Sequence, residues 1–191
     1  WQRFDQLPET SEIIIVTRDE ARPQFKELAK RIGTGKPWRL EVGGEERQDS
    51  VWSGINATAA DSELVAIQDG ARPCTPHSAI EAALAAARET GAAVLAKRVS
   101  DTLKRGDGQE QIAGTIDREN VWAVQTPQVF RREIILAALA KVRDEGLSIT
   151  DDTAACEALG QAVKLIECDM PNPKATTPAD LPYIESLLAG E

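Results

Sequence analysis

The chain has 191 residues, 42% hydrophobic and 28% charged, with a net charge of −9 and a pI near 4.8. That length suits one domain with a core large enough to fold without staples, and the acidic balance argues against a nucleic-acid surface. Cys74, Cys156 and Cys168 are odd in number and show no CxxC spacing, which points to reduced thiols in a cytoplasmic setting rather than a disulfide framework or a zinc site.

Residue 1 is Trp and the only methionine is Met170, so the chain reads as a fragment, a processed product or a sequence without its first residues. No apolar run approaches membrane-spanning length and no signal-peptide pattern opens the chain, so a membrane is not expected as a partner. EIIIVT (12–17) reads as a β-branched strand, followed by a helix from about Glu20 to Arg31. WRLEVGG (38–44) is a strand running into paired glycines, and SVWSGINATAA has helical spacing. LVAIQD (64–69) is the next strand. Thr75-Pro76 has the pattern of an N-cap with Pro at the first helical position, opening an Ala-rich helix that ends near Gly91. AAVLAK (92–97) returns to strand.

Residues 98–120 break the alternation. They are polar, with Gly106-Asp107-Gly108 between β-prone flanks, and predict a hairpin arm projecting from the main sheet. VWAVQTP (121–127) is a strand, REIILAALAKVRDEG a helix closed by Gly146, and Thr150 a candidate cap for the helix that follows. AVKLIECD (162–169) is the last strand, and Thr177-Pro178-Ala179-Asp180 starts a final helix with a capping box. This order predicts an α/β domain over 1–191 with a mainly parallel sheet covered on both faces.

In such sheets the ligand crevice lies at the carboxyl ends of strands. LVAIQDGARPC (64–74) is the most informative segment, because an apolar run ends there in an acid and a base three residues apart on a Gly turn. The pair suits a hydroxylated, phosphorylated ligand, and it also suits an ordinary solvated turn. Nucleophilic hydrolysis fits badly, since His77 is the single histidine and no G-x-S-x-G elbow occurs. Walker and G-x-G-x-x-G loops are absent as well. There remain five polar loops: GGEERQDS (43–50), QDGARP (68–73), QTPQ (125–128), TDD (150–152) and NPKATTP (172–178). Each alone is compatible with turn or cap chemistry. Their order and joint presence are more specific.

The ordered set resembles the 2-C-methyl-D-erythritol 4-phosphate cytidylyltransferases, through GGEERQDSV, QDGARPC, SDTLKR, TIDREN-VW, QTPQVF, ITDD and the NPKATTPADL tail. The resemblance implies a Rossmann-like homodimer that makes CDP-methylerythritol and pyrophosphate from CTP and the sugar-alcohol phosphate, with Mg²⁺ held mainly by the CTP phosphates. It implies that Gly44, Glu45, Arg47 and Ser50 lie in the loop that meets the nucleotide, with Asp69 and Gly70 beside ribose and substrate. Arg72, Thr126 and Thr150 would contact the substrate, and Lys174 would meet the phosphates at the reacting centre. Thr102 and Arg118 would lie on the arm that reaches the neighbouring subunit's site.

The chemistry is consistent with these residues. A phosphate monoester is largely ionised at neutral pH, so the nucleophile needs no general base. Fixed cations and Mg²⁺ are the expected means of bringing two anions together.

Glu45 stands where the family usually has Asp, Gln68 where it has His, Gly70 where it has Ala, and Pro173 stiffens the backbone beside Lys174. The family also opens with a strand and a Gly-rich, cationic loop that cradles the triphosphate, and this chain starts after them. By itself it is expected to bind CTP poorly, and the natural protein is expected to carry that start. Rival readings are a ribitol-5-phosphate cytidylyltransferase, a catalytically dead homologue, or an unrelated α/β binding protein for a sugar phosphate.

Overall fold

A computed structural model describes residues 1–190. After a short helix α1 (Gln2–Asp5), the chain forms β1 (Ile13–Thr17), a 3-10 turn at Asp19–Ala21 and α2 (Arg22–Ile32). Then come β2 (Trp38–Val42), α3 (Arg47–Asn56), β3 (Leu64–Ile67), α4 (His77–Thr90) and β4 (Ala92–Arg98). The second half runs β5 (Leu103–Gly106), β6 (Ile112–Ile116), β7 (Trp122–Arg131), α5 (Arg132–Asp144), α6 (Asp152–Leu159), β8 (Lys164–Glu167) and α7 (Leu181–Ala189).

The central sheet has strand order β3-β7-β4-β8. β8 runs parallel to β4, while β7 is antiparallel to both β3 and β4. Three of these four strands therefore share one direction, and β7 alone is reversed. The expected strand 121–127 continues to Arg131 through a cis Thr126-Pro127 bond, pairing β3 on one side and β4 on the other. β1 and β2 form a separate parallel pair.

Period-two alternation along β4 and β7 sorts the core to the two faces. Ala92 and Phe130 face Ile55, Ile135, Leu139, Val142 and Cys156 of α3, α5 and α6. Ala93, Leu95 and Val129 face Ala79, Ala83 and Ala87 of α4. The alanine-rich stripe of α4 brings that helix close to the sheet, and Gly91 ends it with φ of +90°. On the opposite face, burial among apolar groups pushes the Cys156 thiol up to about 12, so it acts as a small core residue.

Two cap expectations change. Asp151, not Thr150, caps α6, its carboxylate accepting from the Ala154 N–H at 3.0 Å. Pro76 is the N-cap position of α4, and the hydroxyl of Thr75 is spent on Asn172 instead. The capping box at Thr177–Asp180 forms as read, and its backbone and hydroxyl donors hold the Asp180 carboxyl down at about 2.

Two features frame the site. The β5–β6 hairpin stands out as its own two-stranded sheet, with Ile112 at its tip 70% exposed. Between Ile13–Val16 of β1 and Leu64–Ile67 of β3 runs a groove of about 720 Å³, reaching Arg47, Ser50, Asp69 and Gly70.

Candidate active site

β3 ends at Ile67 and the chain turns through 68–75, closed by the Arg72 N–H on the Asp69 carbonyl at 3.0 Å. The Asp69 N–H donates to Thr126 Oγ1 at 3.1 Å, which ties the turn to β7 just before Pro127. The Asp69 carboxylate lies 2.8 Å from Lys174 Nζ and 3.8 Å from Arg72 Nε. An acid and a base three residues apart thus meet a lysine from the far end of the chain. Burial pulls the Arg72 guanidinium below its ordinary value and Asp69 opposes that shift. A guanidinium still remains charged at neutral pH.

Asn172 holds this half of the site together. It is 4% exposed. Its Oδ1 accepts from Thr75 Oγ1 at 2.9 Å, and its Nδ2 donates to Gln125 Oε1 and to the Thr126 carbonyl. Its own carbonyl accepts from Arg72 at 2.6 Å. The Ala175 N–H donates to the Ala71 carbonyl at 2.8 Å, so the tail is bonded on both sides of Lys174.

The other half is built around α3 and α6. A Cβ on Gly43 would lie 2.6 Å from Ser50 Oγ, and one on Gly44 would run into Asp49, so this loop requires both glycines by packing. The Gly44 N–H donates to Ser50 Oγ at 3.1 Å, closing the loop onto the first turn of α3. Arg47 donates twice to the Asp152 carboxylate, at 3.0 and 2.7 Å. The Asp152 side chain is fully buried, and burial raises its pKa while Arg47 opposes the rise. Gln128 joins these to β7, accepting from the Asp152 N–H at 3.0 Å and donating to Asp151 at 2.9 Å.

Arg47, Ser50, Asp69, Arg72, Thr126 and Lys174 therefore sit in two bonded clusters at one rim, and the charges of Asp69 and Asp151 both act on Arg47. Gly44, Glu45, Gly70 and Thr150 are exposed in the loops that carry these residues. Among the described residues no hydrogen bond or ion pair brings Thr102 and Arg118 to the rim, and both are exposed beside the hairpin. Sequence reasoning missed Asn172, Gln128 and Asp152 as individual residues, although all three lie within loops it singled out. The signal available was polarity next to a buried strand end. Among the described residues no group of three or more His, Cys, Asp or Glu is placed to hold a metal unaided.

The profile of the 2-C-methyl-D-erythritol 4-phosphate cytidylyltransferases matches residues 2–189. The chain belongs to this family. The cytidylyltransferase of Caldanaerobacter subterraneus subsp. tengcongensis is 42% identical over 186 residues, which cover 97% of this chain and 82% of that protein. The one from Geobacillus kaustophilus is 41% identical, with 97% and 81% covered. Among solved structures, the 4-diphosphocytidyl-2C-methyl-D-erythritol synthase of Anaerococcus prevotii superposes with a TM-score of 0.89 at 27% identity, over 98% of this chain and 83% of that one. The Thermus thermophilus cytidylyltransferase gives 0.82 at 32% identity, over 98% and 86%. The cytidylyltransferase fold thus extends across nearly the whole chain, and both halves of the rim lie within it.

Proposed function

We propose that this protein transfers the cytidylyl group of CTP to 2-C-methyl-D-erythritol 4-phosphate, releasing pyrophosphate, in the non-mevalonate route to isoprenoids. Family membership supports the reaction. The observation that carries it at atomic level is the meeting of segments about a hundred residues apart at Asp69, whose carboxylate lies 3.8 Å from Arg72 and 2.8 Å from Lys174.

The attacking group is an ionised phosphate oxygen, so the site has to position and neutralise rather than deprotonate. None of Arg47, Ser50, Asp69, Arg72, Thr126 and Lys174 is a histidine or a thiol, which suits that task. Lys174 supplies a mobile cation beside the point where charge develops on the transferred phosphate, and Asp69 holds it there until substrate competes for it. Arg72 is anchored at one end by the Asn172 carbonyl, and its buried Nε, like Gln68 Oε1, has no hydrogen-bond partner among the described residues. Those two atoms are suited to complete their bonding with substrate. The bonded loop Gly44–Ser50 carries Glu45, which is exposed, and Arg47 and Ser50, which line the groove, and this supports the loop as the nucleotide end of the rim. Removing one such cation costs about 2–4 kcal/mol of transition-state stabilisation.

Mg²⁺ fits a donor set of this kind when most of its oxygens come from the triphosphate, with Asp69 as the carboxylate at hand. Bound with CTP, it would screen the charge that two anions accumulate on approach. The groove between β1 and β3 reaches Arg47, Ser50 and Asp69, which supports a nucleotide bound along this rim. The exposed hairpin, with Ile112 at its tip and Arg118 after it, supports a homodimer in which each arm completes the partner's site. Three unbridged, buried cysteines suit a cytoplasmic enzyme. No helix among the described residues is long and apolar enough to cross a membrane.

The test is pyrophosphate release by the full-length protein. Release is expected only with CTP, methylerythritol phosphate and Mg²⁺ together. Equal turnover of ribitol 5-phosphate would move the protein to the neighbouring polyol-phosphate specificity, and no turnover of either would favour a dead homologue.

A further inference from the structure

The least economical group at the rim is Asp152. Its carboxylate is fully buried, while its partner Arg47 keeps 41% of its side chain exposed. A buried charge costs several kcal/mol unless it is paired and hydrogen-bonded, and a well-packed apolar pair often serves stability as well or better. Joining α3 to α6 therefore does not by itself explain an ion pair at this place.

The bonding around the pair is directional. Both Arg47 terminal nitrogens are used, at 3.0 and 2.7 Å, which fixes the plane of the guanidinium. The Asp152 backbone is fixed in turn by Gln128, and Gln128 by Asp151, so the acid is set by β7 and by the cap of its own helix. The charges facing Arg47 from the surrounding elements are Asp152, Asp151 and Asp69. Arg47 is the first residue of α3, one turn before Ser50, whose hydroxyl accepts the Gly44 N–H. Holding Arg47 therefore holds the helix start onto which the 43–50 loop is closed.

We infer that Asp152 is a positioning residue for nucleotide binding: it clamps Arg47 so that the Gly44–Ser50 loop meets CTP in one preset geometry. The inference rests on the cytidylyltransferase reading and adds a residue that does not itself touch substrate. Removing the clamp lets the loop sample other arrangements, and CTP must then select the competent one, which weakens apparent affinity by the fraction lost. The chemical step, set by Lys174, Arg72 and Asp69, is affected less.

The test combines steady-state kinetics with calorimetric CTP binding on the full-length protein. Asp152→Asn is nearly isosteric and is expected to raise both KM and Kd for CTP by about tenfold, the equivalent of about 1.4 kcal/mol, with a smaller fall in kcat. Arg47→Gln should weaken CTP at least as much, since it also removes a cation from the loop, and the double variant should be no worse than Arg47→Gln alone, because Asp152 acts only through Arg47. Lys141→Gln breaks an exposed pair away from the loop, the 2.6 Å contact with Glu145 at the end of α5, and should leave CTP affinity unchanged. Unchanged KM and Kd in Asp152→Asn, or effects that multiply in the double variant, overturn the inference. Should Asp152→Asn fail to fold, Arg47→Lys carries the test, since it keeps the charge but loses the two-pronged bond. Wild-type affinity in that variant is equally fatal. An inactive wild-type protein overturns the cytidylyltransferase reading itself, whereas an active one with an indifferent Asp152 overturns only the clamp.

Discussion

At the scale of single residues, the site depends on side chains that bond to the chain rather than to substrate. Asn172 uses its carboxamide on Thr75, Gln125 and Thr126 while its carbonyl anchors Arg72. Truncating it leaves several buried groups without partners, each costing about 1–3 kcal/mol. Asn172→Ala is therefore expected to destabilise the protein by about 2–4 kcal/mol, read as a lower midpoint in urea denaturation with an unchanged slope. A loss within experimental error would mean that water or a rearranged tail replaces these bonds. In the primary structure Asn172 is one polar residue before a proline, with the look of an ordinary turn. Its importance comes from partners 46 to 100 positions away. Asp69, Arg72 and Lys174 were legible because their charges follow strand ends, whereas Asp152 was hidden behind the more conspicuous Thr150.

At the scale of elements, hydrophobic patterning located the strands well and their directions less well. β7 reads like its neighbours because it too is buried on both faces from Thr126 to Phe130, yet it runs opposite to β3 and β4. The long arm explains this: a hairpin between β4 and β7 returns the chain at the same end of the sheet, so β7 comes back antiparallel. Cap residues were harder. Thr150 and Asp151 are both good caps by type, and the choice depends on which of them is held by Gln128. The unpaired edges of β1 and β3, facing the groove, are the weak seam of the structure. Hydrogen exchange should show this. Amides of β4, flanked by β7 and β8, should exchange orders of magnitude more slowly than the groove-facing amides of β1 and β3. Uniform protection across all these strands would show that the two sheets open as one unit.

At the scale of the whole molecule, the main question is how many chains make one site. Thr102 and Arg118 sit on an exposed hairpin beside the body that carries Asp69 and Lys174. If the arm serves a partner's site, Arg118→Ala and Lys174→Ala enzymes, each inactive, should regain activity on mixing. One site in each mixed dimer then combines an intact Arg118 with an intact Lys174, so recovery approaches about a quarter of wild type when subunits exchange freely and sites act independently. No recovery despite proven subunit exchange would place Arg118 in its own chain's site.

The strand and helix alternation, the hairpin arm, the buried alanine face of α4 and the five polar loops could all be read from the linear order of residues. Such features follow from local periodicity and turn chemistry, which neighbours in sequence decide. Which loops bond to one another could not be read there. The Arg47–Asp152 clamp, the Asn172 hub and the reversed β7 each join residues far apart in the chain, and only packing around a shared core brings them within bonding distance. One charged pair makes the point: Asp69 and Lys174 have no local reason to meet, and the sheet places them 2.8 Å apart.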